Sequence, residues 1–216
     1  MAFPAGAVPG IDVSHWQGSV DWDVVASGGE MFGYAKASEG AATGDQYFVD
    51  NWTAMKTAGL LRGAYHFFHP NTDAAAQAAN FLSCLSKANG GSPVLAAGDL
   101  PPTLDLEVTD GASVAALLAG AGTWLQAVET ATGRQPIVYT YVSFWNKTLG
   151  NPSDLSDYPL WIAHYNVPAP TIPGDWAGWT MWQFAQQQVT GVPAAVTDMD
   201  AFNGSYADLQ TLAGLV

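Results

Sequence analysis

The chain has 216 residues, 49% of them hydrophobic and 12% charged, with 6 basic residues against 19 acidic ones and a net charge of −13. This is a globular composition with length for one substantial core, and the acidic excess excludes nucleic acid and anionic membranes as partners, because both demand clustered Lys and Arg. No apolar run approaches the roughly 18 residues of a membrane span, and the lone Cys84 excludes an internal disulfide or a cysteine metal cluster.

Strand-like runs recur along the chain, and helical segments separate the first five. "VPGIDVSH" (8–15) precedes a short helix around "DWDVVASG". "FGYAKAS" (32–38) precedes "DQYFVDNWTAMKTAG", where Phe48, Val49, Trp52 and Met55 recur at helical spacing and Gly59 can end the helix. "LRGAYHFF" (61–68) leads into an alanine-rich helix over 73–88. "PPTLDLEV" (101–108) alternates Leu104 and Leu106 with Asp105 and Glu107, which predicts a strand with both carboxylates on one face. The longest predicted helix follows, over 112–132, with Gly133 as its stop, and "PIVYTYV" (136–142) is the fifth strand.

The rhythm then changes. "PLWIAHY" (159–165), "WTMWQFA" (179–185) and "VTDMDAF" (196–202) follow with Pro- and Gly-containing loops between them, and "YADLQTLAG" forms a last short helix. Five strand–helix units followed by three strands predict an α/β fold with a mostly parallel sheet, most simply a closed barrel. No linker, repeat or low-complexity segment breaks the chain, so a single domain over 1–216, with its core at about 8–212 and no appended module, is expected. Ala2 to Gly10 lacks the basic start and long apolar stretch of a signal peptide, so an exported form has lost its signal or carries it outside this sequence.

Barrel enzymes place their chemistry at the C-terminal ends of the strands. Those ends supply Asp12, Glu39, His66, Asp105 with Glu107, Tyr139 with Tyr141, His164 with Tyr165, Gln183, and Asp198 with Asp200. The convergence of carboxylates and aromatics there is the strongest functional signal in the residues themselves. Two carboxylates at close range push their pKa values apart, which suits the acid and the stabiliser of glycosidic cleavage. Three readings of the D-x-E pair stand at this point: a solvated strand face, an oxygen site for magnesium or calcium, and a glycosidase pair. Residue spacing does not decide between the two carboxylate separations that glycosidases use. The 9 Trp, 8 Tyr and 9 Phe serve either core packing or a groove of flat faces for sugar rings. No G-x-S-x-G elbow, H-E-x-x-H pattern or phosphate-binding loop occurs.

The motifs occur in a recognisable order: "GIDVSHWQGSVDW", "YAKASEG", "RGAYHFFHP", "PPTLDLEV", "GRQPIVYTYVSFW", "PLWIAHY", "WTMWQF" and "VTDMDAFNGS". The series resembles the glycoside hydrolase family 25 lysozymes, the Chalaropsis-type N-acetylmuramidases, from about Gly10 to Asp208. The resemblance implies a flattened TIM-like barrel, (β/α)5(β)3. It implies hydrolysis of the β-1,4 bond between N-acetylmuramic acid and N-acetylglucosamine in bacterial peptidoglycan, without metal or cofactor. It places Glu107 as the proton donor, with Asp105, Asp12 and Asp198 as the other catalytic carboxylates. Asp12 and Asp198 are expected to crowd negative charge around Glu107 so that it keeps a proton. Asp105 is expected to orient the substrate's own 2-acetamido group as nucleophile, giving net retention.

Glu39, Tyr65, Phe67, Tyr139, Tyr141, Trp161, Tyr165, Gln183 and Asp200 are the expected substrate contacts. "SEG" stands where many relatives have T-E-G, and Asp200 stands where an asparagine is frequent. A monomeric, secreted enzyme is expected, with a phage endolysin as the other source. The alternative function is a catalytically inactive saccharide-binding protein of the same fold. A chitinase is weakened by the absence of further aspartates upstream of the pair.

Overall fold

The computed structural model describes residues 3–216. Nine strands and five α-helices follow in chain order: β1 Val8–Val13, α1 Trp22–Ser27, β2 Phe32–Glu39, β3 Thr43–Gly44, α2 Phe48–Thr57, β4 Leu61–Phe67, α3 Ala74–Ala88, β5 Thr103–Asp105, α4 Val114–Thr132, β6 Ile137–Tyr141, β7 Leu160–Ala163, β8 Met181–Gln187, β9 Thr197–Phe202 and α5 Tyr206–Leu212. Eight strands close in the order β1-β9-β8-β7-β6-β5-β4-β2, with β2 pairing back to β1, while β3 hangs on the outer end of β2.

The helices begin and end where the local chemistry dictates. The Asp73 side chain accepts from the Ala76 amide at the start of α3, and Ser113 accepts from Ala116 at the start of α4. Gly133 ends α4 at φ 72°, a left-handed conformation that costs a glycine little.

The alternation of each strand feeds two apolar layers. Phe32, Tyr34, Ile137, Trp161, Met181 and Phe202 fill the barrel interior. Leu104, Leu106, Leu117, Trp124 and Leu125 pack between strands and helices. The interior is crowded with rings, so two strands yield space by having no side chain: a Cβ on Gly63 would lie 2.1 Å from the Tyr34 ring, and one on Gly10 would lie 2.5 Å from Phe32.

Seven strands run parallel, but β9 is antiparallel to both of its neighbours, β8 and β1. The segment between β8 and β9 is too short for a crossover helix and its return, so the chain must reverse as a hairpin. This corrects the reading of strand ends. The start of β9, not its finish, lies level with the C-terminal ends of the parallel strands, and Asp198 pairs in register with Asp12.

Candidate active site

The C-terminal mouth of the barrel opens into a cleft of about 800 Å³. Asp12, Asp105, Glu107 and Asp198 all line it, together with Tyr65, Phe67, Tyr139, Tyr141, Trp161, Tyr165 and Gln183. The strand β5 stops at Asp105, yet Leu106 still donates its amide to the Tyr139 carbonyl at 2.9 Å and accepts at its own carbonyl from the Thr140 hydroxyl at 2.9 Å. The alternation therefore persists beyond the ladder. Leu104 and Leu106 are buried in the outer layer, and Asp105 and Glu107 both face the cleft.

Gln183 is the hub of the polar network. Its Oε1 accepts from the Tyr139 hydroxyl at 2.8 Å and from the Tyr165 hydroxyl, and its Nε2 donates to Asp12 Oδ2 at 2.6 Å. Two phenols on one amide oxygen fix which way the amide points, and so fix Asp12. Asp198 is held at one oxygen by Gln186 Nε2 at 2.8 Å and by the Tyr165 hydroxyl at 3.3 Å.

Two expected substrate contacts fall elsewhere. Asp200 is fully buried below the cleft, where its Oδ1 accepts from Trp161 Nε1 at 3.0 Å. It shares the inward face of β9 with Asp198 but lies two residues deeper, out of a ligand's reach. Glu39 is not among the residues that line the cleft, although it pairs in register with Phe67, which is. Its carboxylate holds Lys36 Nζ at 2.5 Å and His69 Nε2 at 3.1 Å, and His69 in turn meets Asp110 at 2.6 Å. Burial would raise Glu39, but the hydrogen bonds from Lys36 and His69 outweigh it and hold the carboxyl below its ordinary range. His66 faces the helices, bonded to Ser38 and Gln77, and burial takes it down to about 4.

Three cleft residues carried no signal in the one-dimensional pattern. Lys36 lies in the middle of β2, buried but for its edge, 4.9 Å from the centre of the Phe67 ring, and lines the cleft among the carboxylates. Trp16 is 79% exposed on the turn after β1, its ring tilted against that of His15 with centroids 4.7 Å apart, and Asp45 clamps His15 at 2.9 Å. Lys147 lines the opposite part of the cleft, on a short π-helical turn after β6.

The electrostatics follow from crowding. Burial first, then the charge of Glu107, push Asp105 well above the usual carboxylate range. Burial, with the charge of Asp198 added, also raises Glu107, against the hydrogen bond from Tyr139 and the charge of Lys36. Asp12 is raised by burial and by Asp198, and Asp198 by burial. Burial leads for both members of the pair, and Asp198 is the neighbour whose charge adds to it at Glu107. Asp105 Oδ1 is buried and accepts no hydrogen bond from any described residue.

This arrangement sets a pH dependence of stability. A carboxyl whose folded pKa lies above its unfolded value contributes fully below the unfolded value and loses that contribution as pH rises through the folded one. Asp12, Asp105, Glu107, Asp198 and Asp200 are all raised. His66, depressed to about 4, opposes them below its ordinary value of 6.5. The thermal midpoint is therefore expected to rise from pH 8 to a maximum near pH 5–6, the window between those limits. Calorimetry at fixed ionic strength checks this, and a midpoint that climbs steadily from pH 5 to 8 contradicts it.

The model of glycosyl hydrolases family 25 matches residues 11–192. The chain belongs to this family. The family 25 chain is 37% identical to Lysozyme M1 of Streptomyces globisporus over 95% of its own length and 71% of that protein. It is 34% identical to the N,O-diacetylmuramidase of Chalaropsis sp, covering 95% of this chain and 99% of that one. Among solved structures, it superposes on the bacterial lysozyme from Streptomyces coelicolor with a TM-score of 0.86 at 37% identity, over 98% of this chain and 99% of that chain. The closed eight-stranded mixed barrel is thus the architecture of family 25. Among the described residues, no three His, Cys, Asp or Glu side chains converge to hold a metal ion, and no helix is long and apolar enough to cross a membrane.

Proposed function

We propose that this family 25 protein is a peptidoglycan muramidase, which hydrolyses the β-1,4 bond from N-acetylmuramic acid to N-acetylglucosamine with net retention. The observation that carries this reading is the convergence of Asp12, Asp105, Glu107 and Asp198 in one cleft rimmed by aromatic faces, in a chain whose relatives are named lysozyme and N,O-diacetylmuramidase.

Two raised carboxyls side by side can divide both tasks between them. When the substrate's acetamido N–H reaches Asp105, it gives the ionised carboxylate a donor that no described residue supplies to Oδ1. Glu107 holds its proton and donates it to the leaving oxygen. The acetamido oxygen closes on C1 while Asp105 stabilises the positive charge that develops on the ring it forms. Water opens that ring from the opposite face and returns its proton to Glu107. Asp12 and Asp198, tied through Gln183 and Tyr165, keep the surrounding field negative. Trp16 and the tyrosines offer flat faces to sugar rings.

The substrate lies outside the cell membrane, so the enzyme reaches it as a secreted protein or as a phage endolysin. A binding protein has no use for carboxylates that are costly to bury, which disfavours the inactive reading. Proton NMR in the first minutes of wall digestion provides the test. The expected product is the β-anomer of a reducing muramic acid end. An initial α-anomer replaces the acetamido nucleophile with direct attack by water, and a reducing N-acetylglucosamine end removes the muramidase assignment.

A further inference from the structure

Two cations line the cleft, and only one is committed. Lys36 is ion-paired to Glu39 at 2.5 Å. Lys147 is exposed and has no carboxylate within ion-pair reach among the described residues. It sits on the π-helical turn Phe144–Thr148, whose first two residues are buried anchors: Phe144 packs in the core, and Trp145 Nε1 donates to the Pro152 carbonyl at 2.9 Å. The next two, Asn146 and Lys147, line the cleft. A π turn is a rare conformation that concentrates at functional sites.

The charges in the cleft are also divided. Its carboxylates belong to β1, β9 and the end of β5. The wall that follows β6 and β7, with Tyr141, Ser143, Asn146, Lys147 and His164, carries none. In a chain with 6 basic residues against 19 acidic ones, an anionic part of a substrate is repelled from everywhere else in the cleft and drawn to this wall. Each muramic acid of peptidoglycan bears a lactyl ether that carries a short peptide with free carboxylates, whereas chitin bears no anion.

We infer that the wall after β6 and β7 seats a carboxylate of the stem peptide on Lys147, so that the cleft selects peptide-bearing strands. This rests on the muramidase reading and names the feature of the substrate that the glycan itself does not supply. A neutral substitution of Lys147 removes the attraction, and a reversed charge turns it into repulsion. The side chain is exposed, so neither change threatens the core.

The experiment is an equilibrium titration at low salt with three soluble glycan strands: peptide-bearing, the same with its peptide carboxylates converted to amides, and peptide-free with the lactyl carboxylate exposed. Wild type is expected to bind the first about 5-fold tighter than the second, the upper range for a solvent-accessible ion pair. Lys147→Met should abolish that ratio, Lys147→Glu should invert it, and added salt should shrink it for the wild type. Peptide-free strands should bind like the amidated ones. Should they bind like the peptide-bearing strands, the ligand is the lactyl carboxylate and the stem-peptide assignment falls. Equal weakening of all three strands by Lys147→Met also overturns it. Release of reducing sugar is read separately on the same strands. A wild type that cleaves none of them ends the muramidase reading, while the binding ratios still decide the role of Lys147.

Discussion

Glu107→Gln is expected to lower the rate of wall lysis by about 10²–10⁴-fold, the usual contribution of a positioned general acid. The glutamine keeps the shape of the side chain and cannot give up a proton to the leaving oxygen. The same substitution removes a charge from among Asp105 and Asp198, both of which burial has raised. It is therefore expected to leave the thermal midpoint unchanged or higher, as active-site carboxylates are held at a cost to stability. Asp105→Asn separates the two roles. It should cut kcat by about 10²–10³, the loss typical of one preorganised electrostatic partner, and change KM far less, because its contact with the acetamido group strengthens only as charge develops. A folded Glu107→Gln protein retaining more than about a tenth of wild-type activity would sink the assignment of the acid. An Asp105→Asn variant impaired only in KM would turn that aspartate into a binding residue.

Asp99→Ala is expected to do the reverse, costing stability and sparing the chemistry. Arg62, near the start of β4, donates from Nε to Asp99 Oδ1 at 2.7 Å and from Nη1 to the Trp52 carbonyl at 2.8 Å, with its guanidinium 4.0 Å above the Trp52 ring. Asp99 Oδ2 accepts from the Ala96 amide at 2.8 Å, and Leu100 donates to the Arg62 carbonyl at 2.7 Å. The pair is buried, at 5% and 1% exposure, so it is barely screened. It pins the irregular segment that leads into β5 against the bottom of the barrel, at the end opposite the cleft. Removing the aspartate strands a buried guanidinium, which typically costs ~3–5 kcal/mol. For a chain of this length that corresponds to a fall in thermal midpoint of roughly 6–20 °C. Below that midpoint, kcat of the folded protein should match wild type. A loss under about 1 kcal/mol would mean that water or a rearranged acceptor takes up the freed guanidinium.

Much of this molecule is legible along one dimension because the relevant signals are local. Strand alternation in "TLDLE" separates Asp105 and Glu107 from their leucines whatever else the chain does, and the cleft contains both. Asp73, Ser113 and Gly133 mark the helix ends through hydrogen bonds and backbone conformations that involve only near neighbours. The change of rhythm already separates the strands that alternate with helices from the last three, although after β6 the chain forms only the five-residue π-helical turn Phe144–Thr148 where a fifth helix is expected. The roles of the carboxylates came from the resemblance of eight ordered motifs to family 25 and not from periodicity.

Distant parts of the chain decided the rest. The reversal of β9 follows from a short connection that must close the barrel, and it brings Asp198 beside Asp12 while sinking Asp200 beneath the cleft. Glu39 reads like a groove residue, but Lys36 and His69 occupy its oxygens. Trp16 and Lys36 lie within quoted motifs and Lys147 just past one, but no local pattern gave any of them a role, and only closure of the barrel places all three in one cleft. The raised pKa values of Asp105 and Glu107 are largely a matter of tertiary structure. Burial leads at both carboxyls and the distant Asp198 adds to it at Glu107, while the charge that most raises Asp105 is that of Glu107, two residues along the chain.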